Sequence, residues 1–541
     1  MDDGQTHENG GRLASPLRDV RAGLLVFLIA LPLCLGIAVA SGFPAMAGVF
    51  TAIVGGLLCT FIGGGELTIK GPAAGLIVVV LGCVEDFGGA DGGYRAALAV
   101  GVVAGVGQVV LGAVGGGGLA GFCPKPVVRG MLASIGLIIL IKQIPVMLGT
   151  EAAGEPAEVL RHLPEIASGV SPPIAGVGLL CLAVMFAWPA LGRRIPRLRA
   201  VPAPLIVVAI SLPFSFALGL DAPRNLTLLG STYEIGPRHL VDLSPEVFGL
   251  VDAVTTPDFG SLGRPIAWKW VVMFLLIGSI ESLLSARAVD LLDPRGRRTN
   301  LSRDLLAVGA GNAVSCGLGG LPMISEIVRS RANIDAGGRT RFANLWHGVF
   351  LLACVALIPA VLNRIPLAAL AALLVYTGVR LASPAEFVRS WRAGVESFAA
   401  FVLTLIVVLA TDLLIGVAAG AVLTVGVLLV RGVGVQNLFR ARTEIVDGGA
   451  RGPTLRVSGA AVVTNWPSLQ DEVRRVAAEH DGTVTLDLSR VGTIDRSTRL
   501  ELGSLGESFE QGGPRVDIAW PGADGPAADI GRGSEPSGEE L

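Results

Sequence analysis

The sequence predicts a polytopic α-helical membrane protein of about 14 spans, built as two inverted seven-span repeats and followed by a small cytoplasmic α/β domain. Three observations predict it. Of the 541 residues, 52% are hydrophobic and only 16% charged. Apolar runs of about 20 residues, the length that crosses a hydrocarbon core, recur from Ala22 to Val430 with short connections. After Val430 the composition turns polar and mixed. A soluble chain of this size needs about a quarter of its residues charged to cover its cores, and the mean hydropathy of +0.66 shows that this surface is missing. The 42 basic and 44 acidic residues leave a net charge of −2, and no basic stripe interleaved with aromatics suggests a nucleic-acid partner.

Residues 1–21 form a polar N-terminal segment, and no A-x-A-like site directly follows the first apolar run, so no cleaved signal peptide is expected. The spans start near residues 22, 45, 70, 95, 123, 172, 201, 267, 301, 320, 341, 364, 396 and 411, making a transporter domain over 22–430. Its first repeat covers about 22–220 and its second about 265–430. Arginines and lysines collect in the even-numbered connections: Lys125 and Arg129, Arg193 to Arg199, Arg295 to Arg303, Arg339 and Arg341, Arg389 and Arg392. The loop with Glu151, Glu155, Glu158 and Glu165 is acidic instead. Because short cytoplasmic loops carry the positive excess, both termini are placed in the cytoplasm, which requires an even number of spans. An odd number per half then inverts the second repeat relative to the first. The seven cysteines, Cys34, Cys59, Cys83, Cys123, Cys181, Cys316 and Cys354, fall in apolar stretches and read as buried free thiols.

The third and tenth spans are short and broken, at corresponding positions of the two halves, which is the pattern of a transporter's binding site. The third reads Leu67-Thr68-Ile69-Lys70-Gly71-Pro72-Ala73-Ala74-Gly75, the tenth Gly319-Gly320-Leu321-Pro322-Met323-Ile324-Ser325-Glu326. A Pro just after a Gly suggests an extended stretch that becomes a helix inside the membrane, since a helix's first turn does not use the missing N–H. Two such helix starts facing each other present unpaired N–H groups and partial positive charge, an anion site needing no metal.

Ionisable residues at membrane depth are costly and tend to serve function. Glu281 lies in an apolar run with Ser285 one turn further along the same face, and would hold a cation or carry a proton, or else pair with Lys70 or Arg329. Glu326 and Arg329 follow Pro322 by one and two turns. They either pair with each other or divide, Arg329 adding to the anion field while Glu326 titrates with Glu281. Lys70 either attracts the anion or neutralises one of the glutamates. His347 reads as packed or hydrogen-bonded and not catalytic. No hydrolase or phosphate-loop motif is present, so no enzyme or ATP-driven pump is expected.

Beyond Val430, Thr454–Val463 reads as a strand, Pro467 opens an amphipathic helix running to His480, Thr483–Leu488 is a second strand, Arg496–Gln511 a helix and Pro514–Ala519 a third strand. The small domain covers 440–520, and 521–541, rich in Gly, Pro, Ser and Glu, reads as a disordered tail.

Together these residues resemble the SulP, or sulfate permease, family of inorganic anion transporters. The marks are Ala30-Leu31-Pro32-Leu33-Cys34-Leu35-Gly36 with Ala40-Ser41-Gly42, Gly71-Pro72-Ala73-Ala74, Glu281-Ser282-Leu283-Leu284-Ser285, and Arg329-Ser330 through Gly337. The C-terminal domain is similar to a STAS domain, with Asp487-Leu488-Ser489 and, at the family's D-S-S-G-like turn, Ile494-Asp495-Arg496-Ser497-Thr498. The resemblance implies a core unit that carries the anion between spans three and ten and moves against a gate unit, and a homodimer. It implies that Glu281, with the hydroxyl of Ser285, matches a sodium site of bicarbonate-transporting relatives, and that Arg329 lies beside the anion. The sequence departs from the family at Glu326, where many relatives have a small residue; an acid there is similar to nucleobase permeases. Ser497 is followed by Thr498 and Arg499, which departs from the STAS turn that carries phosphorylation.

The expected function is secondary active transport of a small inorganic anion, bicarbonate or sulfate, by alternating access with Na⁺ or H⁺, in the plasma membrane. Lys70, Gly71, Pro72, Ala73, Ala74, Gly75, Ser325, Glu326, Ile327 and Arg329 form the expected anion site. Glu281, Ser285 and Glu326 are expected to couple the cation; the site holds either no metal or Na⁺ at Glu281 and Ser285, and no other cofactor is expected. Proton-coupled nucleobase uptake, an uncoupled anion channel and a receptor signalling through the STAS-like domain are the alternatives.

Overall fold

The computed structural model describes residues 9–520 apart from 90–91, 122–123, 151–155, 196–200, 229–230, 243–252, 412, 439, 447–452, 480–483, 500–501 and 504–515. In the first half it places helices α1 (Asn9–Ala40), α2 (Ala45–Leu57), α3 (Ile77–Asp86), α4 (Gly93–Ala113), α5 (Lys125–Met147), α6 (Pro172–Arg194) and α7 (Ala203–Leu218). In the second half come α8 (Pro265–Leu292), α9 (Leu301–Gly317), α10 (Ile327–Asp335), α11 (Phe342–Leu357), α12 (Leu367–Leu381), α13 (Val395–Ala410) and α14 (Leu413–Val430). Among the described residues, eight apolar helical segments are long enough to cross a membrane, and α7, α11 and α13 are shorter apolar helices. Helix α9 and the two broken segments lie at the remaining positions where the sequence predicts spans, in the expected order. Among the described residues, four short strands lie between these helices: β1 (Ile69–Pro72), a hairpin of β2 (Arg224–Leu228) and β3 (Ser231–Ile235) between the halves, and β4 (Met323–Glu326). The hairpin was not foreseen from the sequence.

The two halves meet through the broken segments. Each proline removes a donor and ends helical continuity, so the chain runs extended before a short helix starts. The extended pieces pair as an antiparallel ribbon, with Ile69 opposite Glu326, Lys70 opposite Ser325, Gly71 opposite Ile324 and Pro72 opposite Met323. After β1 the chain stays extended at Ala73, turns through Ala74–Leu76 and continues as α3. After β4 it enters α10 directly.

Two compact units divide the chain: Met1–Ala120, Met131–Pro384 and Leu405–Gly416 make one, and Gly121–Gly130, Ala385–Thr404 and Val417–Leu541 the other. The second unit therefore takes in short membrane segments besides the expected 440–520 domain. In the first unit an apolar core joins Ala30, Cys34 and Leu35 of α1, Val49 and Phe50 of α2, Leu351 of α11 and Leu370 to Leu373 of α12. All described cysteines are free, five of them buried and Cys354 partly so; Cys123 lies outside the described residues.

In the second unit a four-stranded sheet has the order β5 (Arg442–Val446), β6 (Thr454–Ala461), β7 (Val484–Ile494), β8 (Val516–Ala519). Strands β6, β7 and β8 run parallel and β5 antiparallel to β6. Parallel neighbours need a crossover, and helix α15 (Trp466–Glu479) supplies the one between β6 and β7. Its face of Trp466, Leu469 and Val473 packs on Leu455, Val457 and Leu486. Strand β5 has no counterpart among the strands the sequence predicts, and the expected strand 483–488 extends to Ile494. Most of the expected 496–511 helix and all of 521–541 lie outside the described residues. The turn at Asp495 is capped by its own carboxylate, which accepts the N–H groups of Val463 and Thr498, both at 2.7 Å. The Ser497 hydroxyl lies 2.8 Å from that of Ser397 at the start of α13.

Strand β7 also sets a pH dependence. Burial works against the charge of Asp487, but Ser489 and the Arg456 guanidinium, 3.0 Å away, outweigh it and hold the carboxyl below its ordinary range. A depressed carboxylate contributes stability that is present above its unfolded value, about 3.9, and is lost as pH falls through its lower folded value. Asp487→Asn is expected to lower the exchange protection factors of the Val484–Ile494 amides at neutral pH and to flatten the fall of those protection factors on acidification.

Candidate functional site

Strand alternation gives the ribbon two faces. On one face Lys70 and Ser325 lie side by side and meet Asp304 in the first turn of α9. Lys70 Nζ donates to Asp304 Oδ1 at 2.7 Å, to Ser325 Oγ at 2.6 Å and to Thr68 Oγ1 at 2.9 Å. The Ser325 hydroxyl donates to Asp304 Oδ2 at 2.7 Å, and Ser282 Oγ of α8 accepts the Ser325 N–H at 3.0 Å. Lys70, Asp304 and Ser325 are all buried. The expectation that Lys70 serves the anion or a glutamate is corrected by this geometry: its charge and the Ser325 hydroxyl are both taken up by Asp304, a residue not singled out from the sequence. A buried pair of this kind costs about 3–5 kcal/mol to break by removing one partner, because the other charge is stranded.

The opposite face carries Gly71. A Cβ there would meet Arg329 Nη1 at 2.3 Å, so the bare backbone lets the guanidinium lie against the ribbon. Arg329 is only 1% exposed; its Nη2 donates to the Pro72 carbonyl at 3.2 Å, and its Nε and Nη1 have no acceptor among the described residues. Five N–H donors on one side chain, two nitrogens of it unsatisfied in a buried site, are the strongest single sign of a missing acceptor. The Glu281 carboxylate rests on Gly75, where a Cβ would lie 1.9 Å from Oε1, and its Oε2 also lacks a partner among the described residues. Pairing of Glu281 with Lys70 or Arg329, and of Glu326 with Arg329, is therefore not what the structure holds. Ser285 stands one turn beyond Glu281 in α8, and Glu326 and Ile327 form the junction of β4 and α10. His347 of α11 is fully buried and neither ring nitrogen has a hydrogen-bond partner among the described residues, so among them it is packed and not hydrogen-bonded.

Polar side chains pin the broken segments where helical hydrogen bonds stop. Asn312 of α9 receives the Met323 N–H at 2.5 Å and donates to Gln108 of α4 at 2.7 Å. Thr51 of α2 receives the Leu321 N–H at 2.7 Å. Asn344 of α11 receives the Lys70 N–H at 3.1 Å, and Ser330 of α10 the Ile69 N–H at 2.8 Å. These residues satisfy the extended backbone that would otherwise be orphaned in the membrane. A polar residue on an apolar helix was the available signal, but its partner lies 11 to 274 residues away and is not legible locally.

Two half-helices that begin at a paired ribbon, with a buried arginine against one strand, fit the expectation from the sequence, and the model of the Sulfate permease family matches residues 17–406. The chain belongs to the sulfate permease family. YvdB of Bacillus subtilis is 26% identical over 502 residues, covering 90% of this chain and 88% of that one. The bicarbonate transporter BicA of Picosynechococcus is 24% identical over 420 residues, covering 75% and 70%. The solved transmembrane domain of a cyanobacterial BicA shares the fold with a TM-score of 0.60 at 23% identity, over 77% of this chain and 98% of that domain. As a sulfate permease family member the chain is a multi-pass membrane transporter of anions and not an enzyme, with the helical fold of the BicA transmembrane domain followed by a small C-terminal domain built on a sheet.

Proposed function

We propose that the chain is a secondary active transporter that carries bicarbonate or sulfate by alternating access, coupled to Na⁺ or H⁺. The observation that carries this reading is Arg329, a buried guanidinium with two unsatisfied nitrogens beside the starts of two half-helices. The anion takes the place of the missing acceptor, between the backbone of Gly71, Pro72, Ala73, Ala74 and Gly75 on one side and Glu326, Ile327 and Arg329 on the other. Glu281, with Ser285 and Glu326, takes the coupling cation: a proton on a carboxylate, or Na⁺ among the oxygens of Glu281 and Ser285. The protein works as a homodimer in the plasma membrane with both termini in the cytoplasm, the orientation favoured by its basic connections. The bicarbonate transport named for BicA and the sulfate named for the family support these two substrates.

The test is uptake of labelled bicarbonate and of labelled sulfate into proteoliposomes, with an inward Na⁺ gradient, an inward H⁺ gradient or neither. Saturable uptake of an anion that depends on one gradient is expected. Uptake that ignores both gradients and does not saturate would mark a channel and end the coupled reading.

A further inference from the structure

Bicarbonate and sulfate differ most simply in charge, and the charges fixed around the ribbon are countable. Lys70 is the one lysine in either broken segment, directly before Gly71, yet its ammonium is 2.7 Å from Asp304 on the ribbon face away from Arg329. Both partners are at most 3% exposed, and the second Asp304 oxygen is engaged by Ser325 at 2.7 Å, so the pair is closed on itself. On the other face the fixed charges are Arg329 and the carboxylates of Glu281 and Glu326, which lie within electrostatic reach of each other.

We infer that Asp304 determines anion charge: by cancelling Lys70 it leaves Arg329 as the one uncompensated fixed cation at the crossing among the described residues, and the site takes a monovalent oxyanion, bicarbonate, ahead of divalent sulfate. The inference rests on the anion transport proposed above. With the coupling cation at Glu281 and a proton on Glu326, Arg329 matches one negative charge. A dianion retains one unmatched charge at membrane depth. The helix starts attract either anion, but attraction grows in proportion to charge while the desolvation cost grows with its square. One cation is therefore enough for bicarbonate and insufficient for sulfate. Were Lys70 free, the same crossing would present two cations and suit a dianion.

The experiment measures initial uptake of labelled bicarbonate and labelled sulfate, at equal concentration and the same cation gradient, by full-length wild type, Asp304→Asn and the double variant Lys70→Met with Asp304→Leu. Wild type is expected to favour bicarbonate by at least about tenfold. Asp304→Asn frees the Lys70 charge and is expected to narrow the preference to within about threefold. The double variant removes both charges together and is expected to keep the wild-type ratio within about twofold, and it decides the matter should Asp304→Asn fail to fold. Sulfate uptake by wild type equal to or above that of bicarbonate would overturn the inference while leaving anion transport intact. So would a double variant that elutes like wild type but has lost its discrimination, since Lys70 would then be an anion ligand. Uptake of neither anion by wild type is a separate result, which sinks the transport reading and this inference together.

Discussion

Glu281→Gln is expected to lower gradient-driven anion uptake by about a hundredfold, equivalent to about 2.7 kcal/mol of lost coupling. The substitution keeps the shape of the side chain against Gly75 and removes only its ability to hold a proton or a cation. Helix α8 and the ribbon should therefore stay folded, and size-exclusion elution should match wild type. Exchange of labelled anion for unlabelled anion across the same membrane needs no net cation movement, and is expected to survive in the variant if a proton is the coupling ion. If Na⁺ is the ion, exchange falls as well, because an amide is a weaker ligand than a carboxylate. Full gradient-driven uptake by Glu281→Gln would falsify the coupling role of this residue.

Gly48→Val is expected to abolish folded protein. A Cβ at position 48 would lie 2.0 Å from the Cys34 carbonyl oxygen and 3.2 Å from Ala38 Cβ, so α1 and α2 touch backbone to backbone there. The obstructing atom belongs to a helix backbone and cannot turn aside. Separating the helices would open the core around Ala30, Leu35, Val49 and Phe50. Overpacking in a dense interior typically costs about 1–3 kcal/mol, and a contact this short with main chain belongs above that range. The expected readout is loss of the monodisperse peak in detergent and of nearly all membrane-inserted protein. Gly176→Ala makes the control: nothing lies within 4 Å of a Cβ at that position, and expression should be unchanged.

The contrast between what was and was not legible follows the range of the interactions. Span positions are written in local composition, because lipid demands about 20 apolar residues in a row wherever a helix crosses. The two broken spans were legible because Gly71-Pro72 and Pro322 change backbone chemistry at the point where they stand. Glu281 and Arg329 stood out as charges in apolar surroundings. Asp304 did not, since an acid in the first turn of a helix after a basic loop looks like an ordinary dipole-stabilising residue. Its partner Lys70 is 234 residues earlier, and only the folded ribbon brings them to 2.7 Å. Sequence spacing likewise put Glu326 and Arg329 three residues apart as a natural helical pair. The extended backbone of β4 ends at Glu326, which leaves the acid on the strand side of the junction while Arg329 turns to Gly71 and Pro72.

The antiparallel ribbon between residues 69–72 and 323–326 bears on how affinity behaves over a transport cycle. Four residue pairs tie the beginnings of α3 and α10 to each other, so the half-helices cannot part to release cargo without tearing the ribbon. The groups that would grip an anion keep their mutual spacing whichever side of the bilayer is open. Intrinsic dissociation constants measured from the two sides should then be equal once the coupling ion is held at the same concentration. Such a carrier does no work by passing its cargo from a tight site to a loose one. With transport coupled as proposed, all of the accumulation would come from linkage to the cation gradient, and with that gradient collapsed the same molecule would run as readily in reverse.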